Sequence, residues 1–87
     1  MYCINLSIIK TEHVHVRTKD AAANLLAVMT ANDTVREDDY LSQRAGYKVM
    51  TVKDSDGDHV ATIADLGTRY EVTYAETGAT LCVWYDE

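Results

Sequence analysis

Phenylalanine is absent from these 87 residues, cysteine occurs twice, and 8 basic residues stand against 14 acidic ones. No apolar run approaches the roughly 18 residues that a membrane-spanning helix needs. Each scarcity excludes something. Two cysteines, Cys3 and Cys82 at opposite ends of the chain, are too few for a disulfide scaffold. They read as reduced thiols of a cytoplasmic protein that pair only if their strands are neighbours. The formal net charge of −6 disfavours direct contact with nucleic acid, because phosphate binding needs Lys and Arg surfaces that release counterions. It equally disfavours anionic membranes and attracts a basic partner protein. The stretch from Tyr2 to Ile9 is apolar-rich but short, is interrupted by Asn5 and Ser7, and follows no basic residue, so no secretory leader is expected.

What is present is an ordinary globular balance, 47% hydrophobic and 25% charged, over a length that makes residues 1–87 a single domain. A chain this short buries only about 60% of its unfolded surface, so modest stability is expected. Period-two alternation places Tyr2, Ile4, Leu6 and Ile8 on one face of a strand. Alternation resumes at Val14 and Val16, either as a continuation past a bend or as a second short strand. At Thr18 the period changes. Thr18 or Asp20 can cap a helix whose face is Ala22, Leu25, Leu26 and Met29, and Asn32 and Asp33 end it. Thr34-Val35-Arg36-Glu37 fits a capping box and predicts a second helix from Val35 to about Arg44, stopped by Gly46.

From Tyr47 the pattern is strands and turns. Asp54-Ser55-Asp56-Gly57-Asp58, Asp65-Leu66-Gly67-Thr68 and Glu76-Thr77-Gly78-Ala79 punctuate four alternating runs, which implies a four-stranded meander. The expected architecture is therefore α+β: an antiparallel sheet of four to five strands with one or two helices packed on one face. The order is strand, helix, a possible second helix, then four strands.

Few constellations carry chemistry. His13-Val14-His15 on a strand puts both imidazoles on one face, and with His59 or a carboxylate they offer a zinc site; the plainer reading is two solvent-facing histidines around buried valines. Asp54, Asp56 and Asp58 around Gly57 resemble a calcium loop, but the glycine comes early, no glutamate closes the loop and the flanks are strands, so a solvated turn is expected. Cys3 and Cys82 fall inside strands beside apolar neighbours and read as structural thiols rather than nucleophiles. The helix pair around Asn32–Thr34 is no DNA reader, since Glu37, Asp38 and Asp39 would repel the phosphate backbone.

The aromatic supply points elsewhere. Six tyrosines and Trp84 combine apolar bodies with polar tips, the side chains that dominate interface centres. Both faces of the last strand are apolar, so its second face is either covered or open to a partner. The favoured function is a small acidic, non-catalytic protein-binding module with no cofactor and no metal. Its expected contact residues are Glu37, Asp38, Asp39, Tyr40, Asp54, Asp56, Asp58 and Trp84. Only in format, this resembles phage and mobile-element inhibitors of host nucleic-acid-binding defence complexes, of anti-CRISPR or anti-restriction type, whose carboxylates stand in for DNA phosphates. The alternatives are a metal-binding protein or enzyme using His13, His15 and His59, and a homo-oligomeric module assembled around Trp84.

Overall fold

The computed structural model describes residues 10–86. The expected strand over Tyr2–Ile9, Cys3 within it, lies outside the described residues. Within them the order is β1 (Thr11–Val16), α1 (Lys19–Met29), β2 (Thr34–Glu37), α2 (Asp39–Ala45), β3 (Lys48–Lys53), β4 (His59–Asp65), β5 (Arg69–Tyr74) and β6 (Thr80–Tyr85). The fold is α+β, and the four-strand meander β3–β6 forms as the turns predict. The sheet, however, has six strands in the order β1-β6-β5-β4-β3-β2, and it is mixed rather than antiparallel. The parallel pair is β1 with β6, which aligns His13 with Cys82 and His15 with Trp84. The residues of β1 thus pair with the far end of the chain, a partnership that no local pattern announces.

A second correction concerns Thr34–Glu37. These residues pair antiparallel with β3 as an edge strand instead of opening a helix. Thr34 and Val35 are β-branched and fit a pleated strand. The helix starts four residues later: Asp38 Oδ1 accepts from the Leu41 amide at 2.9 Å, taking the capping role assigned to Thr34. The predicted stop is right, with Gly46 at φ 84°, a left-handed conformation that glycine adopts without Cβ strain. Helix α1 begins where expected, Thr18 Oγ1 accepting from the Ala21 amide at 3.1 Å, and ends at Met29 rather than Asn32.

The two helices cover opposite faces of the sheet, not one. Register aligns Met50, Ile63, Val72 and Leu81 across four strands, and this face, with Val52, Ala61, Tyr70, Val83 and Tyr85, receives Ala22 and Leu26 of α1. That is the core, and full burial of a Leu-sized side chain here contributes about 2 kcal/mol. The other face carries a row of threonines, Thr51, Thr62, Thr73, Thr80 and Thr11, side by side across five strands. Helix α2 sits at the β3 end of that face: Ser42 Oγ accepts from the Val49 amide at 2.8 Å and donates to the Val49 carbonyl at 3.2 Å. Among the described residues no helix is long and apolar enough to cross a membrane.

Candidate functional site

Helix α2 buries none of its residues. Seven residues of helix would be marginal alone, and its ends explain why it holds: the Asp38 cap, the Gly46 stop and the Ser42 clamp on β3. What it presents is a patch. Tyr40 is 64% exposed, Leu41 39% and the following Tyr47 43%. Leu41, Arg44, Ala45 and Tyr47 line a groove floored by Val49, Thr62 and Ala64. Arg44 steadies Tyr40, donating from Nη1 to the phenol oxygen at 3.0 Å with its guanidinium 5.7 Å from the ring centroid. Glu37, Asp38 and Asp39 precede this patch in sequence, so four of the expected contact residues, Glu37–Tyr40, share one location.

The other expected carboxylates sit apart. Asp54, Asp56 and Asp58 form the β3–β4 turn, with Asp54 Oδ1 accepting from the amides of Asp56 (2.9 Å) and Asp58 (3.0 Å). One carboxylate oxygen from each lies within 4.8 Å of the others. The antiparallel register of β2 and β3 puts this turn roughly 13 Å from Glu37, four strand residues away. Arg36, Lys53 and Thr51 line the surface between them. The six carboxylates are therefore two anionic points separated by cations, not one column of charge.

Trp84 stands on a different part of the sheet. It faces the same side as α2 but from β6, three strand spacings or about 14 Å from β3. The second apolar face of the last strand is covered by side chains of its neighbours, not by a helix. Arg69 of β5 places its guanidinium 4.7 Å from the indole centroid, and Glu71 holds that arginine at 3.3 Å. From the other side the His15 ring lies 6.1 Å away and nearly parallel, while the indole Nε1 donates to His13 Nδ1 at 3.1 Å. Cys82 beneath them is a buried free thiol, its Sγ 4.0 Å from Glu71 Oε2.

His13 and His15 do share one face, as alternation predicts, but His59 does not join them. It lies at the start of β4, three strands from β1, in contact with Thr62 Oγ1 at 3.0 Å. Among the described residues, the group of three or more side chains with converging metal-ligand atoms is the aspartate turn, with no histidine in it. Sequence reasoning missed Arg69, Glu71, Leu41 and Tyr47. Arg69 and Glu71 were legible only as the polar face of a strand; their place beside Trp84 follows from register.

A third cluster is structural. Asp65 pairs with Lys19 of α1 at 3.4 Å, holds the Gly67 amide at 3.1 Å and approaches the Tyr85 hydroxyl at 3.5 Å. The negative Asp65 is the main cause raising the Lys19 pKa above its ordinary value. Burial, before the nearby Asp65 charge, raises both Tyr70 and Tyr85, whose rings meet at 5.6 Å. Comparison with protein-family models, with curated proteins and with solved structures finds no match for the chain.

Proposed function

We propose that this chain is a non-catalytic protein-binding module that docks on a larger partner with a basic surface through α2 and the carboxylates beside it. The observation that carries this reading is the exposed pair Tyr40 and Leu41 on a helix that buries none of its residues, with Tyr47 just past its end and with Glu37 of β2, the Asp38 cap and Asp39 at its start. Aromatic anchors rimmed by charge are the arrangement of an interface centre, where desolvated rings supply affinity and charges supply rate and register. The Asp54–Asp58 turn acts as a second anionic contact, so the module touches a basic groove at two points.

A nucleic-acid-binding defence complex of a host cell fits that description of a partner. Its channel binds phosphates through Lys and Arg, and carboxylates at two points would occupy part of it. The charge contribution falls with salt, while the Tyr40–Leu41–Tyr47 contribution does not.

The test is capture from cells of the native host, comparing the wild-type chain with a variant neutralised as Glu37→Gln, Asp38→Asn, Asp39→Asn, Asp54→Asn, Asp56→Asn and Asp58→Asn. Asparagine at 38 and 54 keeps the oxygen that holds the helix cap and the turn. The proposal expects a partner retained by the wild type, released by salt, and held at least tenfold more weakly by the variant. Unchanged affinity and unchanged salt dependence would remove the electrostatic basis of the reading.

A further inference from the structure

The opposite edge of the sheet has a different character from the α2 edge. Residues 10–19 hold Lys10, Arg17 and Lys19 against Glu12 alone, a net of +2, whereas residues 20–86 hold five basic and twelve acidic residues, a net of −7. Lys10 pairs with Glu12 at 3.6 Å and Lys19 with Asp65 at 3.4 Å. Arg17 and the exposed imidazoles of His13 and His15 make no ion pair among the described residues.

Among the described residues the outer side of the β1 backbone is also unpaired. The Lys10 carbonyl accepts from the Thr80 amide, so by strand alternation Lys10, Glu12, Val14 and Val16 direct their peptide groups at β6. The peptide groups of Thr11, His13 and His15 then point outward, and among the described residues no strand pairs with them. Side chains divide the same way. His13 and His15 lie on the open face, while half-buried Val14 and Val16 lie on the face toward α1.

We infer that the β1 edge accepts an extended acidic segment of another protein as an added strand, with carboxylates meeting His13, His15 and Arg17 and alternate apolar side chains extending the Val14–Val16 face. Strand addition takes affinity from main-chain hydrogen bonds and specificity from alternate side chains. The neighbouring stack makes the edge rigid: Trp84 is fixed by its bond to His13 and by Arg69, whose charge Glu71 balances. The same stack disfavours a nucleic acid strand here. Arg69 and His15 flank the indole in register from β5 and β1, leaving little ring face for a base, and the rest of the chain repels a polyanion. A short acidic peptide carries less charge and supplies the missing donors and acceptors.

The test uses the full chain and a fluorescent peptide of about eight residues alternating glutamate and valine, followed by anisotropy, with emission of the sole tryptophan, Trp84, as the second readout. Saturable binding is expected, weakened about tenfold by His13→Gln, His15→Gln and Arg17→Gln together, and abolished by N-methylating alternate peptide residues. Circular dichroism shows whether that variant remains folded, and the methylated peptide tests the edge without altering the protein. Oligothymidine should bind at least tenfold more weakly, and so should a lysine–valine peptide offered to the chain neutralised around α2, which lacks the carboxylates that would attract it elsewhere. The chain neutralised around α2 should bind the acidic peptide undiminished, which separates this edge from the α2 surface. The inference fails if the acidic peptide does not bind, if methylation or the triple variant changes nothing, or if oligothymidine binds better. Self-association of the chain that the triple variant abolishes would also overturn it, in favour of a second copy as occupant.

Discussion

The two helices divide labour. Helix α1 delivers Ala22 and Leu26 to the core, at 0% and 6% exposure, and Lys19 ties its first turn to Asp65. Helix α2 buries nothing, is fastened by one serine and two end residues, and turns Tyr40 and Leu41 outward. A helix kept without a share in the core is stabilised by its ends, and its side chains are then free to be chosen for a surface. That contrast between a helix that builds and a helix that presents is what substitutions can break or sharpen.

The largest effect belongs to the building helix. Leu26→Ala should cost about 2–4 kcal/mol in urea unfolding, since it empties a site among Val52, Ile63 and Val72. In a domain of modest stability that is a large share of the total. A cost under about 1 kcal/mol would mean α1 does not anchor the core. Next comes the fastening of α2: Ser42→Ala leaves the Val49 amide without its partner, while the Val49 carbonyl keeps the Asp38 amide at 2.8 Å, and should cost about 1–2 kcal/mol. Asp38→Ala removes the helix cap and should cost about 1 kcal/mol, with Asp38→Asn close to neutral. If Asn proves as costly as Ala, the charge rather than the cap matters for stability.

The α1 face also carries a pH dependence. Burial raises the folded-state pKa of Tyr70 and Tyr85 above the usual value near 10. Below pH ~10 the phenols are protonated in both states, and the stabilisation is complete. As pH rises past about 10 the unfolded chain releases these protons first, so stability should fall toward the raised folded-state values. Unfolding followed between pH 8 and pH 11 should show that decline, and Tyr70→Phe with Tyr85→Phe should reduce it, leaving the part that belongs to Lys19, whose pKa Asp65 raises. A flat wild-type profile would contradict the assigned cause.

Much of this molecule was legible from local pattern. The turns at Asp54–Asp58, Asp65–Thr68 and Glu76–Ala79 mark the meander because glycine and aspartate have specific uses there; Gly57, for example, adopts φ 86°. The Thr18 cap and the Gly46 stop follow from the same local chemistry. Two things escaped. Thr34–Glu37 satisfies a capping box and an edge strand equally well in sequence, and pairing with β3 decided between them. The stack around Trp84 joins residues 71 positions apart through a parallel pairing that has no local signature. The exposed aromatic and acidic residues at α2 could be named from the sequence, whereas the separation of Trp84 and the aspartate turn from them depends on sheet order.

The central claim, that α2 presents rather than builds, meets its most direct test in one variant measured two ways. Tyr40→Ala should leave the free energy of unfolding within about 0.5 kcal/mol of wild type, as for a surface substitution. The same change should weaken capture of the basic partner at least tenfold, as loss of a central aromatic anchor does. A stable variant that still captures the partner as the wild type does, or one that loses more than about 1 kcal/mol of stability, would contradict the account.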